Sequence, residues 1–341
     1  MSVFVTGGAG FVGYHLCREL LARGRAVTIY DNLSTGSQRH VDALNQDPRC
    51  HFIEGDVRDA AALGMALAQA AKLHAGPPEM VFHLAAAVGV RTILERPLES
   101  LEVNLRGTDN VLAAVAGWGG RVLIASTSEV YGKNPAPALS EESDRLIGAG
   151  EVARWWYAIA KMADEGLALA SHREGRLRAV VVRLFNTVGP RQTGRYGMVL
   201  PTLVAQALAS EPLTVFGDGE QTRCFTYIAD TVRALVELAD AEHAYGRIYN
   251  IGQPEEISIN KLAQRVLELT GSTSTIVHVP YETAYGGSYE DMRRRVPDCS
   301  RLEQAIGFAP RNRLDEAILA VAEDLRGGAP GAIHPAPVAA R

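Results

Sequence analysis

Val3-Phe-Val-Thr-Gly-Gly-Ala-Gly-Phe-Val-Gly13 decides how the rest of the chain is read. Val3, Phe4 and Val5 read as a buried strand, and from Tyr14 onward the pattern is helical. Between them lies a turn with Gly7, Gly8, Gly10 and Gly13, and Phe11 and Val12 lead into the helix. Such a turn lets backbone approach a pyrophosphate, and the following helix N-terminus attracts its charge. Glycine-rich turns also serve merely to tighten loops. Here the turn follows a strand, opens a helix and is answered by Asp31, at the end of the next apolar strand Ala26–Tyr30, with Asn32 beside it. A carboxylate there holds both adenosine ribose hydroxyls and repels a 2′-phosphate, so the expected cofactor is NAD rather than NADP.

The 341 residues suit one large α/β unit or two closely joined lobes. With 47% of residues hydrophobic, a sizeable core is within reach. The formal net charge of −5 and the mixed charges argue against nucleic acid as the principal partner. Cys17, Cys50, Cys224 and Cys299 are scattered without a Cys-x-x-Cys pair, which fits a reduced cytoplasm and predicts neither metal nor disulfides. The N-terminus lacks a basic start and commits at once to the glycine turn, so no signal peptide is expected. No apolar run is long enough to span a bilayer, and no membrane partner is expected.

Strands are predicted at Val3–Thr6, Ala26–Tyr30, His51–Glu54, Met80–His83, Val122–Ser126 and Ala179–Arg183. Helices are predicted between them at Tyr14–Arg23, Ala60–Ala75, Leu98–Gly117 and Trp156–His172. Short, nearly all-apolar strands alternating with helices predict a Rossmann-type, doubly wound parallel sheet with ligands at the strand C-terminal ends. From Asn186 to Gly219 the chain reads as loops around a helix, Val199–Ala209. Beyond it a strand end and helix are expected in Phe225–Ala239, a strand at Ile248–Ile251, and helices at Ser258–Thr270 and Ser300–Ile306. We therefore expect an NAD-binding part at 1–185, rejoined by 220–247. A smaller C-terminal α/β lobe for the substrate is expected from 186–219 and 248–326. The Ala/Pro/Gly-rich 327–341 reads as a disordered tail.

Tyr157 and Lys161 stand four apart, hence on one helical face. An ammonium near a phenol favours the phenolate, and a bound, positive nicotinamide ring adds to that. Such a tyrosine takes a proton from a sugar hydroxyl. An ordinary amphipathic helix can carry the same pair. Here it is accompanied by Thr127, Ser128 and Glu129, presented where the apolar strand Arg121–Ala125 ends. A hydroxyl there can bind the reacting oxygen, and Glu129 can act in acid/base work.

With the turn, the Tyr-x-x-x-Lys pair and His83-Leu-Ala-Ala86, the chain resembles the extended short-chain dehydrogenases/reductases that epimerise, dehydrate or decarboxylate nucleotide sugars. The resemblance runs from the first strand to about Leu325. It implies an NAD that oxidises the sugar at C4 and usually returns the hydride. It also implies that Asp56 and Val57 frame the adenine, and that Leu84, Ala85 and Ala86 line the nicotinamide side near Asn104. Lys161 would hold the cofactor ribose. On the substrate side it implies Asn186 at the sugar diphosphate, Phe216 stacking on the base within Leu213–Gly219, with Thr214 and Leu200 nearby, and Arg223 and Arg295 on the diphosphate. Arg293 and Arg294 read as surface residues.

Thr127-Ser-Glu129 narrows the choice. Related 4,6-dehydratases carry Asp-Glu at the last two positions, and many 4-epimerases have a small residue in place of Glu129. The triplet resembles UDP-glucuronate decarboxylases that make UDP-xylose. This predicts that a C4 ketone forms β to the C5 carboxylate, carbon dioxide leaves, Tyr157 and Thr127 hold the enolate, and C5 is protonated by water or an acid near Glu129. Arg154, Arg91 and Arg191 are candidates to grip the carboxylate, and Arg154 reads equally as a surface residue. A UDP-hexose or UDP-hexuronate 4-epimerase, and a non-catalytic NAD sensor, stand as alternatives. The resemblance also implies a homodimer, with Leu98–Gly117 and Trp156–His172 pairing across a four-helix bundle. The same apolar residues could instead be ordinary core.

Overall fold

A computed structural model describes residues 1–194, 197–281, 283 and 292–327, with only the backbone course at 90–92. Six strands alternate with helices in the first half. These are β1 (Ser2–Thr6), α1 (Phe11–Ala22), β2 (Ala26–Asp31), α2 (Gln38–Leu44), β3 (Cys50–Glu54), α3 (Ala60–Leu73), β4 (Met80–His83), α4 (Val90–Glu95), α5 (Pro97–Ala116), β5 (Arg121–Thr127), α6 (Trp156–Arg173) and β6 (Arg178–Leu184). Then follow β7 (Thr187–Val188), α7 (Val199–Leu208), β8 (Leu213–Phe216), β9 (Thr222–Arg223), β10 (Thr226–Tyr227), α8 (Ile228–Asp240) and β11 (Ile248–Ile251). The described chain finishes with β12 (Ile257–Ser258), α9 (Ile259–Thr270), β13 (Ile276–Val279), α10 (Ser300–Ile306) and α11 (Leu314–Gly327).

The central sheet has seven strands in the order β11-β6-β5-β4-β1-β2-β3. Every pairing in it is parallel. The order reverses between β1 and β4, the crevice where open α/β sheets bind ligands. Its faces alternate residue by residue. Val3, Val5, Leu123, Val180 and Val182 join α1 and α8 in one core. Phe4, Val122, Ile124, Ala179 and Val181 join residues of α3 and α5 in the other. A sheet covered on both sides buries both faces of its inner strands, which is why β1 and the middles of β5 and β6 are runs of apolar residues, whereas the edge strand β3 is only half-buried and ends on the exposed Glu54.

Ile248–Ile251, grouped on sequence with the C-terminal lobe, forms the edge strand β11 of this main sheet, paired with β6. Leu302 of α10 is likewise buried in the main core. A separate core gathers Leu200, Leu203, Val215, Leu262, Val266, Ile318 and Val321 from α7, β8, α9 and α11. The stretch expected to be loops between 186 and 219 also contains β7 and β8, which find parallel partners far along the chain in β10 and β13. Three helices, α2, α4 and α11, were not anticipated. Residues 328–341 of the expected tail lie outside the described residues, and Gly327 ends α11. Among the described residues no helix is long and apolar enough to cross a membrane, and no group of His, Cys, Asp or Glu could hold a metal.

The start of α1 fits the glycine turn closely. A Cβ on Gly13 would collide with the Gly7 carbonyl and stand 2.6 Å from Gly8 Cα, both backbone atoms that cannot step aside. Ala favours a helix over Gly by only about 1 kcal/mol, whereas overpacking costs about 1–3 kcal/mol. Gly13→Ala should therefore lower stability in urea unfolding of the cofactor-free protein and weaken NAD binding. Parent stability and affinity would show that α1 does not seat on the turn.

Candidate active site

The cofactor end is built from the C-terminal edges of β1, β2 and β4. Gly7 has φ +72°, and a Cβ there would lie 2.6 Å from Ala85 N, so the turn packs directly on the Leu84–Ala85 peptide. Gly10 caps α1 with no side-chain hydrogen bond, which leaves the first helical amides for an anion. Asp31 is buried and accepts hydrogen bonds from Ala9 N (3.0 Å) and Leu33 N (2.8 Å). Burial pushes its carboxyl up, and the two amides pull it back. Arg58 donates to Asp56 at 3.0 and 2.7 Å, and Asn32 donates at 3.0 Å. The Arg58 bonds are the main reason that Asp56 is held down at about 2. Val57 is buried against Gly107.

Beneath Leu84–Ala86 runs a buried polar chain. Thr6 Oγ1 lies 2.7 Å from His83 Nδ1, and His83 Nε2 lies 3.1 Å from Thr108 Oγ1. Burial, then the nearby Lys161 charge, lowers His83 to about 3, so the ring is neutral. Asn104 is buried and donates to Ser100 O (2.7 Å) and Ala87 O (3.3 Å), while its Oδ1 has no partner among the described residues. An open helix N-terminus, a buried acid at the end of β2 and an unpartnered buried acceptor beside β4 fit a dinucleotide.

The second half of the site stands on β5, the turn after it and α6. Tyr157 hydrogen-bonds the Thr127 side chain. Thr127 Oγ1 also accepts from Glu129 N at 3.2 Å, capping the short 3₁₀ turn Ser128–Tyr131, where Ser128 is buried. The expected lowering of Tyr157 by Lys161 is absent from the free protein. Burial raises the phenol well above its usual value, and the charges of Glu129 and Asp164 raise it further. Lys161 Nζ instead lies 2.9 Å from Asp164 Oδ2, with both side chains almost completely buried. Asp164 was not foreseen, although its position three residues after Lys161 puts it on the same helical face.

Arg154 is buried and paired with Glu129, so it is not the surface residue that the sequence also allowed. Arg295 Nη1 approaches the other oxygen of Glu129 at 3.6 Å. Burial opposes charge on Glu129, but Arg154 and then Arg295 and Arg223 outweigh it and hold the carboxyl at about 2. Glu129 is therefore a carboxylate near neutral pH and not a proton donor.

Arg295 Nη2 donates to Asn186 Oδ1 at 2.9 Å, and Asn186 donates to Cys224 O at 3.0 Å. Arg223 is buried and donates to Thr222 O at 2.7 Å. Thr127, Ser128, Glu129, Arg154, Tyr157, Asn186, Arg223 and Arg295 thus belong to one linked region. Thr214 is gripped by Gln206, which donates to its hydroxyl and accepts from its amide, each at 3.0 Å. Gln221 spans Phe216 O and the Tyr281 hydroxyl, each at 3.0 Å. Gln206 and Gln221 carried no sequence signal. Leu200 is fully buried in the lobe core, which leaves its side chain none of the accessible surface its expected substrate contact requires. Arg191 stacks over Tyr14 of α1 at 4.3 Å, and the Arg91 side chain is outside the described residues. Arg293 and Arg294 are exposed, paired with Asp218 and Glu256.

Residues 3–252 match the model of the NAD dependent epimerase/dehydratase family. A UDP-N-acetyl-alpha-D-glucosaminuronate decarboxylase of Bacillus cytotoxicus is 42% identical over 90% of this chain and 92% of its own. UDP-glucuronic acid decarboxylase 1 of Arabidopsis thaliana is 33% identical over 96% of this chain and 70% of its own. Among solved structures, a UDP-glucuronic acid 4-epimerase from Bacillus cereus, in complex with UDP-glucuronic acid and NAD, superposes with a TM-score of 0.84. It is 27% identical, over 96% of this chain and 99% of that one. The glycine turn, the parallel sheet and the Tyr157/Lys161 helix are thus those of a known group: the chain belongs to the NAD dependent epimerase/dehydratase family.

Proposed function

We propose that this protein decarboxylates a UDP-hexuronate through a C4 ketone, taking UDP-glucuronate to UDP-xylose or to a released 4-keto pentose. The observation that carries this reading is Glu129, an ionised carboxylate set between Arg154 and Arg295 at the end of β5. A 4,6-elimination needs a protonated acid there, and Ser128 together with an ionised Glu129 supplies none. Similarity to two uronate decarboxylases supports the same choice.

When bound, NAD supplies a hydride acceptor for C4 and the hydride for its return. The residues that would hold it are the Gly7–Gly13 turn, Asp31 with Asn32, Asp56 and Val57, Leu84–Ala86, Asn104 and Lys161. Tyr157 takes the C4 hydroxyl proton as the C4–H bond breaks. The resulting ketone is β to the carboxylate, so the C5–carboxylate bond breaks with its electron pair delocalised toward the C4 oxygen. Tyr157 and Thr127 hold that oxygen by hydrogen bonds. Glu129 orients the water that protonates C5, and Tyr157 returns its proton to the C4 oxygen as the ketone is reduced. Arg223, Arg295 and Asn186 bind the diphosphate, where guanidinium forks match phosphate oxygens. The 42% identical relative favours a second substrate, the 2-acetamido counterpart of UDP-glucuronate.

We also propose that the protein works as a homodimer in the cytoplasm. On the outward faces of α5 and α6, Leu98 is 68% exposed, Ile159 42% and Leu167 39%. Ala163, Gly166 and Ala170 extend the α6 stripe. A second copy of the same surface is the occupant that such a self-complementary face fits.

Three outcomes follow. NMR of a reaction with each UDP-hexuronate should show carbon dioxide release and a UDP-pentose, whereas a C4-epimeric hexuronate would establish the epimerase reading. In a single turnover, Glu129→Gln should slow formation of the C5-protonated pentose about a hundredfold or more while leaving initial NADH formation within a few fold, and equal losses in the two would contradict its role at C5. Analytical ultracentrifugation should give twice the 36.6 kDa chain mass for the parent, falling to one chain in Ile159→Lys/Leu167→Lys, and a parent running as one chain would refute the dimer.

A further inference from the structure

The chemistry above leaves Arg191 without a task. Its guanidinium lies over the Tyr14 ring, 4.3 Å from the centroid. Among the described residues that guanidinium faces no carboxylate and donates no hydrogen bond. The backbone is tied down instead: Arg191 N donates to Asp324 Oδ2 of α11 at 2.7 Å, and His15 Nε2 of α1 donates to Pro190 O at 2.9 Å. Arg191 itself has φ +67°, a left-handed conformation that a non-glycine residue keeps only when its surroundings hold it there. Asn186, at the other end of the same segment, is also at positive φ, +25°.

These contacts fix where the charge stands. Tyr14 closes the first turn of α1, its amide bonded to Gly10 O at 2.9 Å. Side chains on a helix lean toward its N-terminus, so the Tyr14 ring covers the turn before it. A cation over that ring is therefore beside the open amides that follow Gly10. The surroundings are rich in positive charge. Arg18 also stands over the Tyr14 ring, at 5.8 Å. His40 of α2 packs on Tyr14 with ring centroids 4.7 Å apart, and donates to Ala9 O of the glycine turn at 2.8 Å. Burial lowers His15 to about 4 against its bond to Pro190 O, and the Arg18, His40 and Arg191 charges lower it further. Burial lowers His40 as well, with Arg191 and Arg39 adding and Asp324 opposing. Asp324 is the carboxylate felt here, and one of its oxygens is already taken by Arg191 N. Tyr14 belongs to the core on one face of the sheet, whereas α6 packs on the other through Ala168. Arg191 thus stands on the cofactor side, away from Tyr157, and not where the sugar carboxylate would need a grip.

We propose that Arg191 binds the diphosphate of NAD, brought to the N-terminus of α1 by the segment whose other end is Asn186. A guanidinium fork matches phosphate oxygens and stays charged throughout the working pH range. The open amides of α1 supply the first contacts to the anion, and Arg191 closes over it from the side of the substrate lobe. Residues 186–191 then serve one ligand at each end, the sugar diphosphate at Asn186 and the cofactor diphosphate at Arg191. The strained backbone is what turns the Arg191 side chain back onto α1 while Asp324 holds its amide. This inference takes from the proposed function only NAD as cofactor and Asn186 at the sugar diphosphate, and does not depend on which sugar is processed.

The test is ligand binding to the full chain freed of cofactor, with no sugar substrate and no turnover. Calorimetric titrations with ADP-ribose, which carries the adenosine and both phosphates of the cofactor, are set beside titrations with adenosine and with UDP. Arg191→Gln should weaken ADP-ribose about tenfold or more, while adenosine and UDP bind as they do to the parent. Arg191→Lys, which keeps a charge, should recover most of the loss. Arg191→Gly removes the charge and suits the left-handed backbone, so it should lose ADP-ribose affinity even where the Gln variant does not fold. Parent affinity for ADP-ribose in either uncharged variant would overturn the proposal. An equal loss of adenosine or of UDP would make Arg191 a support for the turn or for the segment, and would overturn it as well. Failure of both uncharged variants to fold would do the same. Because only a cofactor fragment is read, an error in the substrate reading leaves this result interpretable.

Discussion

The position of α6 relative to the sheet depends on one buried carboxylate, Glu165. It accepts from Arg183 at 2.9 and 2.8 Å, from Ser126 at 2.6 Å and from Arg145 at 2.7 Å. Glu165 and Arg183 are essentially without solvent exposure. Removing one partner of such a pair strands a buried charge and costs about 3–5 kcal/mol. Arg183 lies on β6 and Ser126 on β5, so the network ties α6 to both strands where they end. The same guanidinium continues to the Tyr131 hydroxyl at 2.8 Å, which donates to Asn250 of β11 at 2.7 Å. Tyr157, Lys161 and Asp164 project from the helix so anchored. The Tyr157–Thr127 hydrogen bond is therefore set by a polar network beneath the site, not by the catalytic groups themselves.

Around that frame, charges are sorted by their partners. Lys161 is matched by Asp164, and His83 is kept neutral by burial. Glu129 is kept ionised by Arg154 and Arg295 against the cost of burial. The region thus holds a high-pKa phenol, a low-pKa carboxylate and several guanidinium groups. Such a set suits proton exchange with a sugar hydroxyl and stabilisation of anions. It is poorly suited to protonating a departing hydroxyl, and in the proposed chemistry water delivers the proton to C5 before the ketone is reduced.

Much of this was legible in the sequence. The alternation of apolar strands and helices fixed the parallel sheet, because each strand is buried on both faces and advertises it. β4, β11 and α10 begin and end where the pattern predicts. Glycine spacing located the cofactor turn, and i, i+4 spacing put Tyr157 and Lys161 together. What escaped were features that depend on distant partners. β8 pairs with β13 some sixty residues later, and nothing local marks either as a strand. The role of Arg154 lies in a contact with Glu129, twenty-five positions earlier. The phenol's proton affinity was misjudged because the sequence shows the lysine one turn from Tyr157 but neither the burial of the phenol nor the charges of Glu129 and Asp164 around it. Leu200 was placed at the substrate although its side chain is needed in the lobe core.

The central claim is that a transient carbonyl at C4 makes the bond from C5 to the carboxylate labile, and that solvent then protonates C5. Turnover in deuterium oxide reads this from the product alone. The account predicts one deuterium at the former C5 of the pentose and none bonded to C4, since the C4 hydrogen leaves and returns as a hydride shielded from solvent. Deuterium bonded to C4, or a product with no deuterium at C5, would contradict it.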